Sequence, residues 1–308
     1  MVAYLAKLEQ DGKNTRRARS FANSAINPTL GAIRLRDLDR ETLSQWLADL
    51  AASPRQTRTG GLLAAPKSAE EIRRRRASAN RTWGVLRAAL NLALDDGRIH
   101  SDAAWKRVKM FKNAASARLR WLSGQEIRRF VDACEEPFRT LALAALYSGC
   151  RLGELRQLVV ADFDARSETL CVRVSKSGKS RHVTLTKEAA TFFARIAAGR
   201  GGEELLLQRA DGEGWRDGEQ RRRMLDACQR AGIAPAGFHS LRHTFASLAL
   251  QDGVPMLMVA HNLGHGDTRM VEAHYGHIDP DNLRQTIRER TKPLGFDSDG
   301  SNIVTLRR

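Results

Sequence analysis

Between residues 239 and 277 the chain gathers side chains suited to acid–base and nucleophilic chemistry. The stretch opens Phe238-His239-Ser240-Leu241-Arg242-His243 and continues Asn262-Leu263-Gly264-His265-Gly266-Asp267. It closes Glu272-Ala273-His274-Tyr275-Gly276-His277, and six of the eight histidines fall within it. On a helix His239 and Arg242, three apart, share a face. A guanidinium grips a phosphate through two parallel hydrogen bonds and keeps its charge near neutral pH. Imidazole moves protons at that pH. A phenol, with its pKa near ~10, becomes a nucleophile once its proton is taken or its anion is stabilised. Together these groups suit attack on a phosphodiester.

Two plainer readings compete. His239/His243 and His261/His265 are i,i+4 pairs of the kind that bind zinc when a third ligand converges. Neither has the His-Glu-x-x-His form or an internal carboxylate base. A core tyrosine with scattered structural histidines would account for each residue singly, but not for the ordered set.

That set resembles the catalytic C-terminal half of the tyrosine recombinases, the phage integrase family. His239-x-x-Arg242, Leu263-Gly264-His265 and a tyrosine ten residues after that histidine occur in the family's order. The resemblance reaches back to about Leu119 with good motif support and loosely to the start of the chain. It identifies Arg151, in Cys150-Arg151-Leu152-Gly153-Glu154-Leu155, as the first catalytic arginine, with Glu154 orienting a partner. Residues 169–174 and 180–185 alternate in character around Ser175-Lys176-Ser177-Gly178-Lys179, which predicts strand–turn–strand. The resemblance selects Lys176 as the catalytic lysine. Lys179 is the second choice, because a one-register shift in the hairpin would exchange their directions.

The chemistry so implied uses Arg151 and Arg242 to hold the non-bridging phosphate oxygens. Losing one would cost on the order of 10²–10³ in rate. His239 and His265 share acid–base work and orientation, Lys176 protonates the departing 5′ oxygen, and Tyr275 attacks to become a 3′-phosphotyrosine. Guanidinium and ammonium groups carry the electrostatics, so no metal is expected. The bond's energy stays in the covalent link, so no nucleotide cofactor is expected, and the chain has no Gly-x-x-x-x-Gly-Lys-Ser/Thr loop. A site-specific recombinase or integrase is the leading expectation. A type IB topoisomerase-like strand breaker and a catalytically idle DNA-binding regulator are the alternatives.

The elements that must position these groups fit 308 residues in two domains. The expected fold is mainly α with a small antiparallel β-sheet. A helical core-binding (SAM-like) domain would span 1–108, a linker 109–118, a mixed α+β catalytic domain 119–290 and a tail 291–308. The net charge is +16; residues 1–117 hold 22 Lys/Arg against 11 Asp/Glu, the remainder 29 against 24. The surplus lies in the first third, as expected of a domain that grips a polyanion. Arg73, Arg74, Arg75 and Arg76, with Arg16 and Arg17, are its candidate phosphate contacts on double-stranded DNA. Cys134, Cys150, Cys171 and Cys228 form no Cys-x-x-Cys and suit buried thiols in a reducing cytoplasm. No apolar run is long enough to span a bilayer, and no signal-peptide pattern opens the chain.

Local signals mark the helices. Asp39 caps a helix near 39–50, and Ser68-Ala69-Glu70-Glu71 is a capping box opening a helix that stops at Gly97. Asn27-Pro28-Thr29-Leu30-Gly31 is expected as a turn, and Lys106 to Arg118 as connecting chain. A second capping box, Ser123-Gly124-Gln125-Glu126, opens the catalytic domain, with Leu122 and Ile127 as a hydrophobic staple. Pro255 starts a helix that Gly264 ends, and Asp279-Pro280 caps a last one to about Arg290. In the tail, Ile303-Val304-Thr305-Leu306 is too short a strand to stand alone, so an edge of the sheet at 169–185 is its expected partner. Recombinases resembling this chain work as tetramers on two duplexes, which implies exchange of that tail between subunits.

Overall fold

A computed structural model describes residues 1–54, 61–62, 64–114, 120–173 and 180–265. The chain divides into two compact units, Met1–Ala117 and Arg118–Arg308. Among the described residues no helix is long and apolar enough to cross a membrane.

The first unit is helical: α1 (Val2–Gln10), α2 (Arg16–Phe21), α3 (Asn27–Leu30), α4 (Arg40–Ala52), α5 (Ala69–Asp95) and α6 (Ala103–Lys106). The Asp39 side chain accepts from the Thr42 N–H at 2.7 Å. The box at Ser68 closes in both directions. Leu43, Trp46 and Leu47 of α4 bury against Trp83, Leu86 and Leu90 of α5. The expected turn at 27–31 is instead the last stretch of a helical run, α2 leading through a π-helical turn at Ala22–Ile26 into α3. Pro28 stands at the start of the short α3 segment, directly after the π-helical turn. Thr29 Oγ1 donates to the Ala25 carbonyl and accepts from Trp46 Nε1, so the run is tied to α4. Residues 109–114, expected to begin the linker, are held by this unit. Asn80 bonds both the N–H and the carbonyl of Phe111, and Ala114 is buried.

The second unit contains α7 (Gly124–Ala133), α8 (Phe138–Ser148), α9 (Leu152–Leu155), β1 (Phe163–Asp164), β2 (Thr169–Val172), β3 (Arg181–Thr184), α10 (Lys187–Ala197), α11 (Glu219–Arg230), α12 (His239–Gln251) and α13 (Met256–Leu263). Ser123 and Glu126 close the second capping box. The sheet is antiparallel in the order β1-β2-β3, with Leu170 opposite Val183 and Val172 opposite Arg181. The hairpin expected at 169–185 is present; residues 174–179 at its turn lie outside the described residues, as do the last helix and the tail. The free edge of β3 is not bare. Asn262 accepts from the Thr184 N–H at 2.8 Å and donates to its carbonyl at 3.2 Å, which fastens α13 to the sheet.

The core runs from Leu122, Phe130, Phe138 and Leu141 through Leu155, Leu170 and Val183 to Phe193, Met224 and Leu241. Buried Thr244 of α12 accepts from the Leu122 N–H and donates to the Ser240 carbonyl. That anchors the start of the unit to the helix bearing His239 and Arg242. All four cysteines are free thiols, and Cys134, Cys150 and Cys228 are buried.

Candidate active site

Two chain turns bring the site together. The apolar helix α8 stops at Gly149, whose φ of 64° is left-handed. A Cβ there would stand 2.5 Å from Phe245 Cδ1, so both the backbone and the packing require glycine. The chain emerges at Arg151 with extended dihedrals, and Arg151 becomes the N-cap of α9. Helix α13 ends at Gly264 in the same left-handed conformation, and the next residue is His265. A Cβ on Gly264 would meet Arg181 Cδ and Nε at 2.8 Å. The glycine of Leu-Gly-His is thus required both by its turn and by an arginine lying across it.

Arg242 is the most enclosed functional side chain, 3% exposed. Its Nη1 donates to the Gly149 carbonyl and its Nη2 to the Leu263 carbonyl, each at 2.7 Å. It therefore bonds the last residues of both helix ends just described. Nη2 also lies 3.0 Å from His265 Nε2. A guanidinium only donates, so Nε2 is the acceptor and a neutral His265 carries its proton on Nδ1. Burial, then the neighbouring Arg151 charge, lower the Arg242 pKa to about 10; it stays protonated at neutral pH.

Arg151 and Glu154 interact twice. The carboxylate accepts from the Arg151 backbone N–H and from its Nη1, both at 2.8 Å. Glu154 thus orients the arginine, the role expected from its position. A second arginine, not among the expected site residues, holds the same carboxylate: Arg181 of β3 donates through Nη1 at 3.0 Å and Nη2 at 2.8 Å. A signal was available. Val183 and Leu185 bury on the inward side of β3, and strand alternation puts Arg181 on that side. An arginine at an inward position needs a buried partner. Burial alone would raise the Glu154 carboxyl. The Arg181 hydrogen bonds, the Arg151 backbone N–H and the arginine charges outweigh it and hold the pKa at about 2.

His239 opens α12 at the rim of a cleft of about 540 Å³, which Arg242, Cys150, Leu152, Arg221 and Met224 also line. Its pKa is lowered, first by surrounding protein and then by Arg242 and Arg151. The ring is therefore neutral at pH 7 and able to accept a proton. The His239 and His243 rings meet edge to face, with centroids 4.7 Å apart. Among the described residues no group of three or more His, Cys, Asp or Glu side chains is placed to hold a metal ion.

The structure thus places Arg151, Arg242, His239 and His265 in one electrostatically connected cluster. Tyr275, Lys176 and Lys179 lie outside the described residues. Of the candidate DNA contacts, Arg16, Arg17, Arg74 and Arg76 are exposed. Arg73 bonds Glu70 and the Ala114 carbonyl, and Arg75 bonds the Leu50 carbonyl at 2.6 Å. Arg76 lies over the Phe111 ring at 5.4 Å.

Comparison with known proteins agrees with this architecture. The model of the phage integrase family matches residues 120–282, more than half of the chain. The integrase of Salmonella phage P22 is 26% identical over 216 residues, covering 66% of this chain and 54% of that protein. Tyrosine recombinase XerA of Saccharolobus solfataricus is 28% identical over 160 residues, 52% of each. The chain thus spans about half the length of these two relatives. Among solved structures, the Tn1549 transposon integrase in complex with circular intermediate DNA superimposes with a TM-score of 0.68 at 15% identity, over 92% of this chain and 97% of that one. A lambda integrase tetramer bound to a Holliday junction gives 0.68 at 20% identity, over 88% and 75%. At such identities the likeness is one of fold: mainly helical, with a small antiparallel sheet. Motif order, fold and family match together show that the chain belongs to the phage integrase family.

Proposed function

We propose that this chain is a site-specific DNA recombinase that breaks and rejoins strands through Tyr275, without metal or nucleotide cofactor. The observation that carries the reading is the convergence of Arg151, Arg242, His239 and His265 around one buried network at a cleft. Preorganised cations of this kind stabilise the charge that develops on non-bridging oxygens when phosphorus is attacked. In the proposed reaction Tyr275 Oη attacks the phosphorus, and neutral His239 accepts a proton while His265 orients the phosphate. The 5′ oxygen leaves with a proton from Lys176, and a 3′-phosphotyrosine remains. A 5′ hydroxyl attacking that ester reverses the step, so the bond is conserved without external energy.

Double-stranded DNA is the proposed substrate, and a tetramer on two sites the proposed assembly. The concentration of positive charge in residues 1–117 supports the first. For the second, the fold shared with a lambda integrase that forms a tetramer on a Holliday junction is the support. The work belongs to the cytoplasm, where such DNA is met.

Tyr147 makes a poor alternative nucleophile. Burial, then its hydrogen bond to Glu188, push its pKa up to about 12. A duplex nicked near a crossover site traps the covalent intermediate, and peptide mapping of the adduct tests the reading. The adduct is expected on Tyr275 and lost in Tyr275→Phe, with half-site binding unchanged. An adduct on Tyr4 or Tyr147, or one that survives Tyr275→Phe, would overturn the assignment.

A further inference from the structure

Glu154 is 5% exposed and its two oxygens hold two arginines. Arg181 approaches as a fork, one N–H to each oxygen, and its side chain is 8% exposed. Its Nε donates to the Asn262 carbonyl at 3.2 Å, so every nitrogen of the guanidinium bonds to protein. Arg151 differs: a single nitrogen, Nη1, bonds the same carboxylate, and its side chain is 28% exposed. One arginine is spent internally and the other faces outward. Glu154 is the charge they share.

We propose that Arg181 is a positioning residue that acts through charge: by pairing with Glu154 it leaves Arg151 its full positive charge for the phosphate. This rests on the reaction set out above. Arg151, Arg181, Arg242 and Glu154 together carry a formal charge of +2. Without Arg181 the cluster falls to +1, and Glu154 has Arg151 as its remaining arginine. A buried carboxylate with one partner draws that partner in strongly. Arg151 would then neutralise an internal charge instead of the additional negative charge that builds on phosphorus oxygens during attack. The alternative is that Arg181 serves as a staple, joining β3 to α9 and to the end of α13.

The two roles separate in a double-variant cycle. Removing Arg181 lowers the cluster charge, and removing the Glu154 charge as well restores it to +2. Adduct formation on the nicked duplex would be followed under single-turnover conditions for the full chain, Arg181→Gln, Glu154→Gln and the double variant. Half-site affinity, melting temperature and the binding of inorganic vanadate, a mimic of five-coordinate phosphorus, would be measured beside it. Arg181→Gln is expected to slow adduct formation about 10²-fold while changing half-site affinity less than about threefold. The double variant is expected to regain most of that loss. Vanadate binding should weaken and recover in parallel.

An unchanged rate in Arg181→Gln would overturn the proposal, as would a double variant no faster than Arg181→Gln, which is the staple's signature. If Arg181→Gln does not fold, the comparison passes to Arg181→Lys, which keeps the charge with a poorer fork. It should stay within about tenfold of the unmodified chain, and a loss as deep as that of Arg151→Gln would overturn the charge role. Should the unmodified chain form no adduct while vanadate binding follows the charge pattern, the proposal stands and the recombinase reading falls. If the chain forms an adduct but neither rate nor vanadate binding tracks the charge, the proposal alone falls.

Discussion

Two carboxylates, one in each unit, are held near the same acidity by pairs of arginines. Glu70, in the first turn of α5, is held at about 2 by hydrogen bonds from Arg73 and then Arg74. Glu154 is also held at about 2, by Arg181 and Arg151, but against the opposing effect of burial. Glu70 is half exposed and its partner Arg74 is 71% exposed, whereas Glu154 and Arg181 are nearly sealed. Equal acidity therefore hides different physics. At the surface, water and salt screen the interaction, and such pairs contribute little to stability. Inside, the charges have little solvent to fall back on, so their geometry is fixed by the hydrogen bonds between them. An arginine-rich stretch in the sequence signals the first kind, and an arginine at an inward strand position signals the second.

The sharpest way to widen that contrast is at the buried end. Arg242→Gln should lower the rate of adduct formation by roughly 10²–10³. It also leaves the Gly149 and Leu263 carbonyls short of their donor, costing about 2 kcal/mol or more. Single-turnover kinetics and chemical denaturation would measure both. An exposed arginine such as Arg74, changed in the same way, should do neither.

Gly264→Ala comes next. It forces a Cβ to 2.8 Å from the Arg181 side chain in a left-handed turn. A loss of about 1–3 kcal/mol is expected, with a drop in activity because the buried fork is displaced. Thermal melting together with adduct yield checks it. A stable and active variant would show that the fork tolerates displacement.

Acid provides a third comparison, and its sign follows from linkage. A carboxyl whose folded pKa lies below its unfolded value stabilises the fold above the unfolded pKa, and that contribution disappears as pH falls through the folded pKa. For Glu154 the window runs from the ordinary 4.5 down to about 2. Melting temperatures in that window should fall less steeply in Glu154→Gln than in the unmodified chain. At low salt Glu70→Gln should alter the slope by a comparable amount, because linkage follows the pKa; added salt, which screens the exposed pairs of Glu70, should erase its effect and leave that of Glu154→Gln. Equal effects of the two substitutions at high salt would abolish the distinction drawn between them.

The smallest effect is expected at the surface arginines. Changing Arg74 and Arg76 to Gln should reduce the slope of log affinity against log salt by up to about 2, near one unit for each phosphate contact removed. Stability should hardly move. Arg75→Gln should instead cost about 1 kcal/mol with the slope unaltered, because its guanidinium bonds the Leu50 carbonyl. If Arg75 and Arg74 behaved alike, the division between bracing and exposed arginines within α5 would fail.

Much of this was legible in the residues. Capping boxes at Ser68 and Ser123, the Asp39 cap and the stop at Gly264 are local devices, and the structure uses each one. His239 and Arg242 needed only a helical spacing to be paired. The contacts that escaped are long in sequence: Arg181 with Glu154, 27 residues apart, and Asn262 with Thr184, 78 apart. No periodicity encodes such pairings; they exist because α9, β3 and α13 pack together. The helical run at 27–30 was hidden for a different reason. Asn-Pro followed by Gly is ordinarily turn chemistry, and here its tie to Trp46 prevails.

Asn262 has one more consequence. In an antiparallel strand every second residue offers its main chain outward, so on the open side of β3 those positions are His182 and Thr184. The Asn262 amide occupies Thr184 with one donor and one acceptor, as a neighbouring strand would. The sheet thus carries a built-in stop, and a foreign chain cannot zip along this border to its end. Among the described residues, a visiting strand would have a foothold on this border beside His182.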